Sequence, residues 1–374
     1  MFCITARLIR GLAVCVALLA GPSLAQNRPS PEIEASGLYF LSIGIGEYVK
    51  GNDDLIELRS AEISAQMVAE ELIASGASYG IVLTSRLSEG KSGHVVTRED
   101  IINALIDIKK RMRADNAQSP RLLVYIMGHA YGDPQFDILF VQPGDAVVNP
   151  RERSQLGVSA LVQKTIWNGD ILSAAVNYRT HDSMRYMDDF LPSQIMPDLT
   201  RPLSGLETAM RAQELMQREE QSREQIGFPP EGNPPVPFVI LFDNCYATIE
   251  QDIVVDAAFF SGIVRGMWDD IVSDGLVFYA AKPGTLTTDI PIPKFLSPTQ
   301  EGQSMGRLGA LLIKALRENS APSFAQLRSA MEEGFQPDWE APWKPYSRSS
   351  TISGDVAAVQ LLPEKAGIGE FDRR

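Results

Sequence analysis

Cys245 closes an apolar run, Val236-Pro237-Phe238-Val239-Ile240-Leu241-Phe242, that leads into Asp243-Asn244-Cys245-Tyr246. A second run, Leu122 to Met127, leads into Gly128-His129-Ala130-Tyr131-Gly132. A thiol and an imidazole are thus each delivered by a strand-like segment followed by a polar turn. Near neutral pH a cysteine is mostly protonated, and a neighbouring histidine raises the thiolate fraction or takes the proton during attack. The chemistry such a pair performs is covalent acyl transfer. By residue type alone Cys245 would be a small buried hydrophobe, but its position, matched by that of His129, argues for a reactive role.

The other cysteines lie in a segment with the marks of a secretory leader. Arg7 and Arg10 form a charged start and Gly11 to Ala20 an apolar stretch, and Ser23-Leu24-Ala25 supplies small residues for cleavage. The apolar stretch is shorter than the roughly 20 residues that span a bilayer. Residues 1–25 are therefore expected to be a signal peptide and the polar, proline-bearing residues 26–37 a linker. Cleavage would remove Cys3 and Cys15 and leave Cys245 alone, so no intramolecular disulfide could form. The expectation is an exported protein, periplasmic or extracellular.

The 374-residue chain carries a net charge of −13, or −15 once Arg7 and Arg10 leave with the leader. Nucleic acids and anionic membranes are bound by clustered lysine and arginine, so neither is an expected partner. A cationic partner fits an acidic surface better.

The elements that must position the pair alternate along the chain. Leu38 to Ile45 reads as a buried strand, and about Leu58 to Ser75 as a helix ending at Gly76. Ile81 to Thr84 reads as a short strand. Thr97-Arg98-Glu99-Asp100 starts a helix with Ile101, Ile102, Leu105, Ile106 and Ile108 on its apolar stripe. Gly275 to Ala281 is a further strand and Met305 to Leu316 a further helix. Short apolar strands alternating with helices predict an α/β fold, with a largely parallel sheet covered on both faces. Ligands of such sheets bind at the carboxyl ends of strands, where both His129 and Cys245 fall. Residues 146–235, with a charged helical stretch at 206–225 and a proline-rich exit, read as an insertion.

The ordered landmarks resemble the caspase-like cysteine peptidases, in their metacaspase and bacterial caspase-homologue branch. Ile43-Gly44-Ile45-Gly46-Glu47-Tyr48 is similar to that family's opening strand and turn, and Leu58, Ala61, Ala65 and Met67 to its first helix. Tyr125-Ile126-Met127-Gly128-His129, with Leu139 and Pro143-Gly144-Asp145, resembles its histidine block. Asp243-Asn244-Cys245-Tyr246-Ala247 resembles its cysteine block. The likeness covers about 38–145 and 236–318 and implies a caspase-like three-layer sandwich over 38–318, with 319–374 as a C-terminal extension packing on or following it.

The resemblance implies a cysteine endopeptidase acting on proteins or peptides, without a cofactor. Cys245 would be the nucleophile and His129 the base and later the acid for the leaving amine. The backbone N–H groups of Ala130 and Cys245 would hold the oxyanion. Asp243 would line the pocket for the residue before the cleaved bond and favour Arg or Lys there. The Gln-Ala-Cys pattern of aspartate-reading caspases is absent.

The chain departs from the family pattern at several positions. Ala130 replaces a glycine after the histidine, Tyr246 a histidine after the cysteine, and Ser64 a first-helix aspartate. Asn244 stands where a small residue is common. His129 and Cys245 lie 116 residues apart, against roughly 50 in classical caspases. A catalytically silent caspase-like module that binds peptides or partner proteins is the alternative these departures raise.

Other chemistries are less well supplied. His94 and His181 read as loop residues, and three dispersed histidines make no zinc site. The acidic pairs at 53–54, 188–189 and 269–270 could contribute to a calcium site, but no EF-hand spacing accompanies them. Gly44 and Gly46 lack the third glycine of a dinucleotide fingerprint, and Ser42 lacks a nucleophile elbow.

Overall fold

A computed structural model describes residues 37–49, 56–85, 95–115, 120–133, 138–146, 164–168, 171, 237–245, 247–248, 275–294, 296, 302–334, 343–347, 354–362 and 370–373. The leader, nearly all of the linker, most of the 146–235 insertion with its charged helical stretch, Tyr246, His94, His181 and all three acidic pairs lie outside these residues.

In chain order the elements are β1 (Leu38–Gly44), α1 (Arg59–Ala74), β2 (Tyr79–Thr84), α2 (Arg98–Ala114), β3 (Arg121–Met127), β4 (Ala130–Asp133), β5 (Ile138–Val141) and β6 (Ile166–Trp167). They continue with β7 (Phe238–Phe242), β8 (Ala247–Thr248), β9 (Gly275–Tyr279), β10 (Ile290–Pro291), β11 (Ser304–Met305), α3 (Arg307–Glu318), α4 (Phe324–Glu333), β12 (Tyr346–Ser347), α5 (Gly354–Ala358) and β13 (Glu370–Arg373).

The fold is α/β, with a seven-stranded sheet in the order β12-β9-β7-β3-β1-β2-β13. Every pairing in it is parallel except that of β12 with β9, at one edge. The central strands are continuous apolar runs because both faces are buried. Successive side chains alternate between two clusters. Tyr39, Leu41, Ile43, Val124, Ile126, Ile240 and Phe242 pack with Ile101, Leu105 and Ile108 of α2. Phe40, Leu123, Tyr125, Val239 and Leu241 pack on the other face with Val68 and Leu72 of α1 and Leu308, Leu311 and Leu312 of α3.

Local chemistry starts and spaces these helices. Thr97 Oγ1 accepts from the Asp100 N–H at 3.0 Å while the Asp100 carboxylate accepts from the Thr97 N–H at 2.9 Å, a reciprocal cap. Gly44 sits where α1 crosses the end of β1, and a Cβ there would fall on the Ala61 carbonyl.

A smaller sheet, β6-β5-β4-β8, begins immediately after His129. Residues 319–374 contribute α4, whose Phe324, Leu327 and Met331 join the second cluster, and strands at both edges of the main sheet. Among the described residues no helix is long and apolar enough to cross a membrane.

Candidate active site

His129 and Cys245 follow the carboxyl ends of β3 and β7, which are neighbours in the sheet. The register brings them level. Ile126 pairs with Phe242 before them, and Tyr131 pairs with Ala247 beyond them. Both pairs lie 116 residues apart in sequence, and so do His129 and Cys245, so the two chains run in step through the turn. Adjacent strands are about 4.8 Å apart, so backbone pairing at that spacing brackets the two residues on both sides.

The imidazole is oriented from two sides. Its Nε2 lies 2.8 Å from the Ile56 carbonyl. A carbonyl only accepts, so Nε2 carries a proton, and in the neutral ring the lone pair is on Nδ1. The ring packs against Tyr48 with centroids 5.2 Å apart, and the Tyr48 hydroxyl accepts from the His129 N–H at 2.9 Å and donates to the Ile45 carbonyl at 3.1 Å. Tyr48, part of the opening turn, thus holds His129 in place.

Cys245 is partly exposed and not disulfide-bonded. Its Sγ donates toward the Thr287 carbonyl at 3.6 Å. Burial pushes the thiol above its usual range, hydrogen bonding to the Thr287 backbone works the other way, and the charges of Asp289 and Asp243 add to the rise. Folding therefore favours the neutral thiol at Cys245.

Ala130, expected to offer an oxyanion N–H, opens β4, so its backbone is extended. The strain a left-handed alanine would carry does not arise.

Asp243, expected to line the pocket for the residue before the cleaved bond, is enclosed by its own fold. Its side chain is 3 % exposed. Oδ2 accepts from the Tyr125 hydroxyl and from the Gly309 N–H in the first turn of α3, both at 2.9 Å. Burial pushes its pKa up to about 6, opposed by the hydrogen bonds from Gly309, Tyr125 and Leu308. A carboxylate at a helix N-terminus satisfies orphan N–H groups and meets the positive end of the dipole. Gly306, just before α3, leaves the room: a Cβ there would strike Asp243 Oδ2. Ser64 serves the same end, donating to the Ser60 carbonyl at 2.5 Å and accepting from the Gly306 N–H at 2.8 Å. Ser42 is a core residue whose hydroxyl donates to the Ala65 carbonyl.

Asp289 lies in the loop after β9, the strand beside β7. It takes a hydrogen bond from the Ser60 hydroxyl at the start of α1, and its charge acts on Cys245 and His129. Sequence reasoning passed over it. The available signal was an acid in the polar stretch Thr285-Leu286-Thr287-Thr288-Asp289, just beyond a strand that could neighbour the cysteine strand. Two exposed apolar side chains adjoin backbone groups that contact the pair. Ile56 and Leu286 are the large hydrophobic side chains most exposed among the described residues, at 75 % and 72 %. Ile56 gives its carbonyl to His129, and Leu286 precedes the residue that meets Cys245.

Among the described residues no group of His, Cys, Asp and Glu is arranged to hold a metal ion. The chain matches no protein-family model and no curated protein.

Proposed function

We propose that the protein is an exported, caspase-like cysteine endopeptidase in which Cys245 attacks the peptide carbonyl, with a preference for Arg or Lys before the scissile bond. The single observation that supports this most is the common register of β3–β4 and β7–β8, which sets His129 level with Cys245 at the carboxyl edge of a parallel sheet. On this reading Nδ1 of His129 takes the thiol proton as the C–S bond forms. The peptide C–N bond then breaks, and the same proton passes to the departing amine. Water hydrolyses the thioester with His129 again as base. Backbone N–H groups of Ala130 and Cys245 are the donors proposed for the oxyanion.

The test is covalent labelling with acyloxymethyl-ketone peptides that end in Arg or in Asp, on wild type and Cys245→Ala. Labelling by the Arg probe that disappears in Cys245→Ala is the expected result. Failure of both probes to label the wild type overturns the enzymatic reading.

The second reading is a silent peptide-binding module. Its support is the state of Cys245, a thiol held protonated and donating to a backbone carbonyl, together with the replacements at Ala130 and Tyr246. Such a module would bind the same peptides without cleaving them.

A further inference from the structure

We infer that Asp289, and not Asp243, receives the cationic side chain of the peptide, an assignment that rests on the peptide-binding reading of the Cys245–His129 cleft. A carboxylate that reads a cation must be held in place, keep an oxygen available to the ligand and stand beside the reacting atoms. The two aspartates divide on these requirements.

Asp243 is committed to the fold. It is buried below Gly306, and its Oδ2 is shared between Tyr125 and the first turn of α3. A ligand cation reaching it would have to displace Gly306 or compete with those bonds.

Asp289 is half-buried and belongs to a loop clamped at three consecutive residues. Thr287 meets the Cys245 thiol at 3.6 Å. Thr288 receives Arg307, whose Nε donates to its carbonyl at 2.9 Å and whose Nη2 donates to its hydroxyl at 2.7 Å. Asp289 itself accepts from Ser60 through Oδ2, and among the described residues Ser60 is the one hydrogen-bond donor to the carboxylate. Among the described residues no hydrogen-bond donor reaches Oδ1. Arg307 sits with its guanidinium 5.6 Å from the Trp343 ring centroid and two of its nitrogens on Thr288. Burial raises the Asp289 carboxyl above its ordinary range, and the Ser60 bond and the charges of His129 and Arg307 work the other way. A partly desolvated carboxylate so placed attracts a guanidinium or ammonium more strongly than one in open water. The geometry thus points to peptides with Arg or Lys immediately before the cut, read by Asp289 from the loop after β9, the strand next to the nucleophile's.

The test compares a peptide containing Arg at that position with the same peptide containing citrulline, which keeps the shape and loses the charge. Cleavage is measured on the full-length protein and its Asp289→Asn and Asp243→Asn variants, and binding by fluorescence anisotropy on each in a Cys245→Ala background. Thermal melting checks that each variant is folded. The expected result is that Asp289→Asn lowers kcat/KM and affinity for the Arg peptide roughly ten- to a hundredfold, bringing it level with citrulline. Asp243→Asn should keep the Arg-to-citrulline ratio. A folded Asp289→Asn that still discriminates overturns the assignment and leaves the peptidase reading standing. Absence of cleavage by wild type, with discrimination in binding that Asp289→Asn abolishes, upholds the assignment and overturns the peptidase reading. If neither peptide binds, both are overturned.

Discussion

The side-chain amide of Asn244 donates to the carbonyl of Gly128 at 2.9 Å, so the residue before Cys245 is bonded to the residue before His129. The bond lies where β3 and β7 end and β4 and β8 have yet to begin, and it bridges the gap between the two stretches of backbone pairing. Asn244 is almost wholly buried. Removing its amide leaves the Gly128 carbonyl without that donor, a loss of about 1–3 kcal/mol. Asn244→Ala should lower the denaturation midpoint by that amount, and the Cys245 labelling rate should fall with it. Unchanged stability would mean the bond is not holding the two turns together.

The resting state of the thiol makes a kinetic prediction. Because folding raises the Cys245 pKa, alkylation by iodoacetamide should be slow at pH 7. It should climb with pH to an inflection above the ordinary value of about 8.5. An inflection near 6 would reveal a preformed thiolate–imidazolium pair instead. On the peptidase reading, His129→Ala should lower kcat by about 10²–10⁴ while leaving the melting temperature near that of wild type.

Stability should depend on pH in an unusual direction. Burial raises the Asp243 carboxyl to about 6 and the Glu62 carboxyl to about 7, the latter also through repulsion from Glu47. Each group binds its proton more tightly in the folded chain than in the unfolded one. Their contribution is therefore complete below about pH 4, the unfolded carboxyl range, and is lost as pH rises through 6 to 7. The folded protein should melt higher near pH 5 than near pH 8, and Asp243→Asn and Glu62→Gln should each flatten that slope. A melting temperature that rises steadily from pH 5 to 8 would contradict this.

Glycine tolerance should rank by what a Cβ would meet. At Gly44 it falls on the Ala61 carbonyl and the backbone of Glu62, which cannot swing aside, whereas at Gly128 the nearest atom is the Ile45 Cβ at 3.0 Å. Gly44→Ala should cost roughly 1–3 kcal/mol or more and Gly128→Ala clearly less. Equal midpoints in urea would refute the close approach of α1 to β1.

Much of the architecture is legible in the sequence because the relevant signals are local. The apolar runs of β1, β3, β7 and β9 stand out since a strand buried on both faces has no polar alternation to disguise it. The helices α1, α2 and α3 follow from 3.6-residue spacing, and their observed bounds, Arg59–Ala74, Arg98–Ala114 and Arg307–Glu318, lie close to the expected ones. The short strands β4, β5, β6, β8, β10 and β11 carry two to four residues each, too few for periodicity to register. They exist because a neighbour supplies the hydrogen bonds. The edge strands β12 and β13 come from the C-terminal extension for the same reason.

The sequence by itself determined which residue types could do chemistry, that His129 and Cys245 each follow a strand, and that the sheet would be mostly parallel. These follow from composition and spacing, which act through near neighbours in the chain. Only the tertiary structure decided what each carboxylate faces. Asp243 and Asp289 are alike as residues, yet one is closed under Gly306 on the N-terminus of α3 and the other stands on a clamped loop beside Cys245. Burial and hydrogen-bond partners arise from segments such as Ser60, Tyr125 and Gly309, remote from both in sequence. Desolvation and charge act through space, so the environment of a side chain is settled by packing and not by its place in the chain.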